Sequence, residues 1–421
     1  MLLCFTQACG APHPSVEESA TPEESSRAEQ VLERRASAPA PNRPLPTPAD
    51  DPNSSSGSIG PSVTETRPLP SLASSSSGGT SSATSAAEGL SPMDTAPVSS
   101  SGGSAPSPED DGPLLFTWVI LPDTQLYAQD FPQILTAQTL WIREHAAELG
   151  ISLVLHEGDV TNHNVQEEWA RASDALAILD GVVPYVLTAG NHDLGLDGLA
   201  ADRTTQLETF FPVSRFLSTT DEAGNPFLGG VFEAGSIQNS YHLLSTGGMD
   251  WLVVALEFGP RDSVLRWAGE LCQQHPQRQV ILLTHSYLDE NDRRVDAAVP
   301  YSPHFYGLHN TTGEAANDGE QMWRKLVRNH ANIRFVFNGH HLGDGAGRLI
   351  SRGIHGNVVV QLMANYQWRV FGGEGYLRIL TFLDGTPRVR VRTYSPWRGS
   401  YLTEAQNDFV IDLEAGEFLE P

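Results

Sequence analysis

The 421-residue sequence is poor in cysteine and lysine and has no apolar run that approaches the length of a membrane span. Its three cysteines are Cys4, Cys9 and Cys272, and only Cys272 lies in the part that we expect to fold. A disulfide within that part is therefore excluded, and the cysteines indicate no redox compartment. Lys325 is the only lysine, so the positive charge comes from arginine.

Residues 11–112 have few aromatic or β-branched side chains and consist mainly of Ser, Pro, Ala, Gly and Glu. Such a segment buries too little apolar surface to offset the conformational entropy lost on folding. We predict a disordered, partly polyproline-like linker over residues 11–112. The residues that follow, 113–415 in our boundaries, are enough for one large α/β domain.

Residues 1–10 contain a short apolar start followed by Thr-Gln-Ala-Cys-Gly, which resembles the end of a bacterial lipoprotein signal. A complete signal needs a basic start and a longer apolar region, and both are missing here. Two interpretations stay open: a truncated lipoprotein signal whose true start lies upstream, and an ordinary frayed terminus. The first predicts a cell-envelope or extracytoplasmic location, with a lipid anchor as the only membrane contact.

The formal net charge of −25 is divided between both parts of the chain. The residues before Pro113 include 14 acidic and 5 basic side chains and contribute −9, which leaves −16 on the expected domain. An acidic domain without an arginine-rich stripe is a poor partner for a nucleic-acid backbone. We therefore rank a nuclease low and expect a small substrate.

Apolar strand patterns and helix patterns alternate through the first half of the domain. Strands are predicted at residues 114–121, 151–156 and 185–188. Helices are predicted between them, at about residues 133–149 and 166–179. A β-α-β-α-β order gives parallel strands with right-handed crossovers, so these three strand ends emerge at the same edge of a sheet.

The second half continues this alternation with longer interruptions. Strands are predicted at residues 251–256, 280–283 and 333–337. Short β runs from 348 to 413 are typical of a mixed or antiparallel second sheet. A long insertion at about 287–319 is of a kind that often shapes substrate access.

Polar side chains directly follow five separate strands of this pattern. They are Asp123, Asp159, Asn191, His285 and His340. Carboxylate oxygen, amide oxygen and imidazole nitrogen together suit Mn, Fe, Zn or Co better than Ca. Two such ions, about 3.5–4 Å apart, need a shared ligand, and a carboxylate such as Asp159 can bridge them.

The tetrapeptide Gly-Asn-His-Asp at residues 190–193 adds a proton donor to this set. His192 lies beside the amide ligand and is free to give a proton to a leaving oxygen. Asp193 is close enough in sequence to fix the orientation of the ring. An ordinary turn of Gly, Asn and Asp would look similar in isolation. The interpretation of residues 190–193 as part of a site therefore depends on the polar residues at the other strand ends.

The order Asp-x-x, Gly-Asp, Gly-Asn-His-Asp, strand-then-His and Gly-His resembles the calcineurin-like metallophosphoesterase superfamily over residues 114–413. The resemblance implies a four-layer α/β fold, in which a two-sheet β-sandwich is flanked by helices. It implies two divalent ions (Mn, Fe or Zn) and hydrolysis of a phosphomonoester or phosphodiester by metal-bound hydroxide.

The same resemblance assigns roles to the individual residues. Asp159 bridges the two metals, and Asp123 holds the first. The second metal goes to three residues: Asn191, His285 and His340. His192 is the proton donor.

Two positions depart from the superfamily pattern, and both concern the first metal. Gln125 stands where the first motif has a histidine, and Leu342 stands where the last motif has its second histidine. The Gln125 carbonyl would complete a harder and weaker oxygen set. His341 could turn inward instead, although a one-residue shift at a strand end usually reverses direction. The segments Leu-Pro-Asp-Thr-Gln and Asn-Tyr-Gln resemble a bacterial subgroup of the superfamily.

The alternative to an enzyme is a metal-binding or scaffold module that keeps the fold but has lost efficient chemistry. The two missing histidines support it, whereas His192 with Asp193 argues for catalysis, since docking needs no proton donor.

Several other histidines have simpler interpretations. His156 lies inside an apolar strand and is interpreted as a core residue. For His163 two interpretations stay open, a residue that lines the pocket and one that does not. His304, His309 and Asp318 lie on a long loop and are each interpreted as surface polar residues.

Overall fold

The computed structural model describes residues 113–311 and 313–421. The lipoprotein-like start at 1–10 and the linker at 11–112 lie outside the described residues, so both stay predictions. Within the described part of the chain, none of the helices has the length and apolar character needed to cross a membrane.

The strands, in chain order, are β1 (Leu114–Leu121), β2 (Ile151–His156), β3 (Tyr185–Leu187), β4 (Leu228–Val231), β5 (Ser240–Thr246), β6 (Met249–Ala255), β7 (Gln279–Leu283), β8 (Ile333–Asn338), β9 (Ala346–Arg352), β10 (Val358–Ala364), β11 (Leu377–Leu383), β12 (Arg388–Ser395), β13 (Ser400–Leu402), β14 (Asp408–Asp412) and β15 (Glu417–Leu419). The α-helices are α1 (Gln125–Asp130), α2 (Pro132–His145), α3 (Gln166–Leu176), α4 (Leu207–Phe210), α5 (Val213–Phe216), α6 (Asp262–Gln274), α7 (Leu308–Thr311), α8 (Gly319–Lys325) and α9 (Val370–Gly373).

The strands form two mixed sheets. The first has the order β15-β14-β12-β11-β1-β2-β3, with β13 paired to β12, and its strands β1, β2 and β3 are parallel. The second has the order β4-β5-β6-β7-β8-β10-β9, and its strands β6, β7, β8 and β10 are parallel. The predicted α/β class and two-sheet sandwich are confirmed.

Alternating side chains of β1 enter two different cores, as the two-residue repeat of a strand requires. Trp118 and Ile120 lie in the core between the sheets together with Trp251 of β6. Val119 lies in a second core with Ile142 of α2 and other helix residues. A third core joins the second sheet to α6 and α8. The layers are therefore helix, sheet, sheet and helix.

The C-terminal region departs from the predicted arrangement. Strands β9 and β10 extend the second sheet from β8, whereas β11 pairs antiparallel with β1 of the first sheet. The prediction that residues 348–413 belong to a mixed or antiparallel second sheet holds for β9 and β10 and is wrong for β11 to β14, because the pairing partner of a strand depends on contacts distant in sequence. β15 lies past residue 415, so the domain extends beyond its predicted end.

Further local features concern the surroundings of α8 and the end of α2. The side chain of Asp318 accepts from the backbone N–H of Gln321 in a capping box at the start of α8. His304 Nε2 lies 2.9 Å from Asp318 Oδ2, and Asp318 is buried, so its interpretation as a surface residue is wrong. Helix α2 ends at His145, four residues before its predicted end, and the chain continues as a turn to Gly150.

Candidate metal centre

The five polar residues predicted at strand ends meet at one edge of the sandwich. Asp123, Asp159 and Asn191 follow β1, β2 and β3 of the first sheet, and His285 and His340 follow β7 and β8 of the second. All five side chains are buried. The carboxyl ends of parallel strands are the edge at which ligands bind in α/β folds.

Four of these residues form a cluster that we call the histidine corner, made of Asp159, Asn191, His285 and His340. His285 Nε2 lies 3.2 Å from Asp159 Oδ1 and 3.2 Å from Asn191 Oδ1. The same nitrogen lies 3.1 Å from His340 Nδ1. The ligand atoms of the carboxylate and the two imidazoles all lie within 4.8 Å of one another.

Backbone carbonyls fix which nitrogen of each ring faces the corner. His285 Nδ1 lies 2.8 Å from the carbonyl oxygen of Glu157, and His340 Nε2 lies 2.8 Å from that of Tyr301. A carbonyl only accepts hydrogen bonds, so each of these nitrogens carries the ring proton. The lone pairs of His285 Nε2 and His340 Nδ1 then point into the corner, as second-shell partners arrange in metal sites.

The convergence of two oxygens and two nitrogens fits a divalent cation of the Mn, Fe or Zn kind. Neighbouring charges shift the pKa values of two members of this cluster against the effect of burial. Burial alone would lower the pKa of its ring, but the carboxylates of Asp159 and Asp123 raise it to about 9. Burial likewise opposes ionisation of Asp159, yet His285 and His192 hold its pKa well below the usual range.

The backbone at this corner is strained, and a glycine allows the close approach. Asp159 and His340 adopt positive φ angles of 48° and 71°, which side-chain-bearing residues rarely do. A Cβ on Gly190 would lie 2.1 Å from Asp159 Oδ1. The glycine of Gly-Asn-His-Asp is thus required for the carboxylate to occupy the corner.

His192 lies beside this cluster, half-buried. Its backbone N–H donates to Asp159 Oδ1 at 2.8 Å, and its ring Nδ1 lies 2.9 Å from the carbonyl oxygen of Asn162. By the same reasoning Nδ1 carries a proton, which leaves Nε2 for proton exchange.

The structure corrects the role predicted for Asp193. Its buried carboxylate accepts from the backbone N–H groups of Val160, Thr161 and Gly190, at 3.0, 2.7 and 2.9 Å. The ring of His192 is oriented by the Asn162 carbonyl instead. Asp193 ties the loop after β2 to the loop after β3 and thereby positions Asp159 next to Asn191.

Next to the histidine corner lies a second cluster, the amide corner, made of Asp123, Gln125, Asn365 and Gln367. The carboxylate of Asp123 accepts from the backbone N–H of His340 at 3.1 Å and from Asn365 Nδ2 at 2.8 Å. Burial raises the pKa of Asp123 well above its ordinary value, against the opposing charge of His285.

Gln125 differs from its predicted role as a carbonyl ligand. Its nitrogen Nε2 donates to Asp159 Oδ2 at 3.1 Å and also to Gln367 Oε1. Its oxygen Oε1 is buried without a hydrogen-bond partner. The amide therefore presents a donor to the carboxylate that was expected to bridge two metals.

The remaining sequence candidates do not reach the cluster. His341 Nε2 lies 3.2 Å from Ser286 Oγ, and burial lowers the pKa of its ring to about 4. His156 Nδ1 accepts from the Gly158 N–H at 3.2 Å, and its Nε2 donates to Thr124 Oγ1 at 2.9 Å. The side chain is buried, so its interpretation as a core histidine is confirmed.

A cavity of about 270 Å³ opens over the histidine corner. Its walls include Leu126, Asp159, Asn191, His192, Tyr301, Tyr306, His340, Leu342, Gln367 and Trp368. A larger cavity of about 420 Å³ lies at the opposite edge, beside Trp251 and Arg388, near the amino ends of the parallel strands. None of the predicted site residues lines it, so the smaller cavity is the chemically relevant one.

Sequence reasoning missed four residues of this region. Asn365 directly follows β10, so the strand-end rule used for the others could have found it. Gln367 lies in the Asn-Tyr-Gln segment that resembles the bacterial subgroup, which was given no role at the site. Trp368 and Tyr301 lie on loops, and no sequence pattern marks their approach to the site.

Carboxylate, amide and imidazole ligands at the shared edge of a two-sheet α/β sandwich define the metallophosphoesterase class of proteins. The chain belongs to the calcineurin-like phosphoesterase family, whose model matches residues 119–344. That family depends on a dinuclear metal centre and acts on small phosphate esters.

The chain is also similar to individual proteins. It is 29% identical over 296 residues to uncharacterized protein YvnB of Bacillus subtilis (strain 168), which covers 67% of this chain and 20% of that protein. It therefore spans about a fifth of that relative's length.

Two solved structures have low overall similarity to it. Purple acid phosphatase PPD1 from yellow lupin has a TM-score of 0.41 and 14% identity, covering 71% of this chain and 54% of that one. The 5'-nucleotidase of Candida albicans has a TM-score of 0.36 and 14% identity, covering 64% and 48%.

Proposed function

We propose that this protein is a metal-dependent phosphoesterase that hydrolyses a small phosphomonoester or phosphodiester at the histidine corner. One observation carries the proposal: four ligand atoms with their lone pairs directed inward converge at the floor of a cavity, beside a histidine with one ring nitrogen left for proton exchange.

Asp159, Asn191, His285 and His340 are the residues that would hold the cation. When bound, a divalent cation there lowers the pKa of a water and neutralises charge on a phosphoryl group. The carbonyls behind both imidazoles hold a ring proton on the outward nitrogens, so the nitrogens that face the cavity are the ones that can bind the cation.

His192 is proposed to protonate the leaving oxygen of the ester. The Asn162 carbonyl holds the proton on Nδ1, so the imidazolium gives up its proton from Nε2. The N–H of His192 also fixes Asp159 Oδ1, which couples the position of the acid to that of the ligand set.

The cavity rim favours an ester with an organic group that can lie against an aromatic ring. Trp368 and Tyr301 line the cavity with 40% and 62% of their surface exposed, which is high for such large side chains. The carbonyl of Tyr301 contacts His340, so the rim is fixed to the ligand set.

The test is hydrolysis of p-nitrophenyl phosphate and bis-p-nitrophenyl phosphate by the metal-depleted full chain, resupplied with Mn, Fe, Zn or Co. We expect turnover only with metal. His192→Ala should abolish most of it, and His355→Ala, at an exposed histidine, should not change it.

Full metal occupancy without turnover of either ester under any metal would favour the scaffold alternative. Turnover that survives metal removal would contradict the proposal outright.

A further inference from the structure

The amide corner occupies the place where a second cation of a dinuclear centre would share Asp159. We propose that this chain holds a single divalent cation, in the histidine corner, and that amide N–H groups replace the second one. The inference rests on the proposed function only for the role of the histidine corner.

The two carboxylate oxygens of Asp159 face different partners. Oδ1 lies 3.2 Å from His285 Nε2, toward the proposed cation. Oδ2 accepts a hydrogen bond from Gln125 Nε2 at 3.1 Å. On this side of the carboxylate the residue at position 125 therefore presents an N–H donor and not a ligand atom, where a bridged second cation requires a further ligand.

The orientation of the Gln125 amide is held from the other side by Gln367. The nitrogen of Gln125 meets two acceptors, Asp159 Oδ2 and Gln367 Oε1. Turning the amide over would set its oxygen against both of these oxygens. The observed orientation is the one that satisfies the donors.

The carboxylate of Asp123 also accepts hydrogen bonds from N–H groups. The His340 N–H and Asn365 Nδ2 both donate to its carboxylate. The carboxylate packs so closely on the backbone that a Cβ on Gly339 would lie 1.9 Å from Oδ1. N–H donors from residues that follow β8 and β10 thus occupy both oxygens of Asp123.

Imidazole ligands for a second cation are absent from the part of the chain that the structure describes. There, the residues that meet the geometric requirement for a His, Cys, Asp or Glu metal cluster are Asp159, His285 and His340 alone. Leu342 lines the cavity with an apolar side chain. Asp123 and one oxygen of Asp159 make too weak a set to outcompete the amides.

The test is metal stoichiometry rather than turnover. The metal-depleted full chain is equilibrated with excess Mn(II), desalted and analysed by mass spectrometry for Mn per chain, with the electron paramagnetic resonance spectrum recorded in parallel. We expect a single equivalent and the hyperfine-split signal of an isolated ion. Two equivalents with an exchange-coupled signal would overturn the inference.

Variants sharpen this result. Gln125→Ala should keep the single equivalent, and loss of metal would mean that Gln125 is a ligand after all. The double variant Gln125→His with Leu342→His should gain a second, coupled ion. Gln273→His, at an exposed position of α6, is the matched control and should gain none.

The inference and the proposed function fail separately. A single equivalent without ester turnover leaves the inference standing and removes the function. Two equivalents with turnover overturn the inference and leave the proposed function standing. A chain that binds no Mn contradicts both.

Discussion

The histidine corner and the amide corner lie side by side at the same edge of the sandwich, and Asp159 belongs to the one while touching the other. In the histidine corner, imidazole lone pairs face the carboxylate, and carbonyls hold the ring protons outside. In the amide corner, N–H groups face the carboxylates. The buried carboxylates are therefore matched by a proposed cation site in the histidine corner and by hydrogen bonds in the amide corner.

This difference shows how a change of side chain at a strand end alters a site without altering the fold. The two sheets, the cores and the hydrogen bonds by which Asp193 joins two loops support both corners. What distinguishes them is whether the side chain opposite the carboxylate offers a lone pair or a proton.

The largest expected effect comes from removing a ligand residue from the histidine corner. His285→Ala should weaken metal binding by more than about 100-fold, because even outer-shell partners of a metal typically contribute 10–100-fold. Ester hydrolysis should fall to background. Isothermal titration with Mn(II) measures the affinity, and Gln125→Ala is the comparison that should keep it. Equal losses in both variants would erase the distinction between the corners.

His192→Ala separates proton transfer from metal binding. Loss of a general acid should lower kcat by about 10²–10⁴-fold. The metal content should stay that of the unaltered chain, since the His192 ring is outside the ligand set. Steady-state kinetics with metal analysis on the same sample checks both, and a kcat unchanged within error would remove His192 from the mechanism.

A buried histidine outside both corners tests the effect of burial on a histidine pKa when no carboxylate raises it. His242 is buried like His285 but has apolar neighbours, Phe227 among them, and burial lowers the pKa of its ring to about 3. Below pH 6.5 the unfolded chain therefore binds a proton that the folded chain does not. The free energy of unfolding should decrease as pH falls from 6.5 toward 3, by at most about 1.4 kcal/mol per pH unit from this residue.

Urea unfolding at pH 7 and pH 5 measures the effect. His242→Gln should reduce the pH dependence relative to the unaltered chain, whereas His355→Gln at an exposed position should not. Identical pH dependence in all three proteins would contradict the stated cause.

The smallest expected effect concerns the rim above the two corners. Trp368→Ala should raise KM for an aromatic ester by about 3–10-fold, as expected for an aromatic contact of about 1 kcal/mol, with kcat little changed. Phe305→Ala removes a more exposed aromatic ring that does not line the cavity and should leave KM unchanged. A change in kcat without a change in KM would place Trp368 in the chemistry and not in binding.

The histidine corner was predictable because its members follow apolar strands directly, and parallel strands bring their ends together. Asn191, His285 and His340 need only local patterns and the topology to be placed. The two-sheet fold followed from the resemblance, while the partner of β11 did not, since β11 pairs with β1 from the other end of the domain.

The amide corner could not be predicted in the same way. Gln125 and Gln367 are separated by 242 residues, and the direction of a side-chain amide depends on that contact. The prediction that Asp193 orients the ring of His192 was wrong for a similar reason. The backbone of residues 160–161, more than 30 residues away in sequence, takes up its carboxylate.

The most direct measurement is anomalous diffraction from crystals of the full chain soaked with Mn(II). The account predicts one anomalous peak, bounded by Asp159 Oδ1, Asn191 Oδ1, His285 Nε2 and His340 Nδ1. A map without a peak among these four atoms, or with Mn bound only elsewhere, would contradict it.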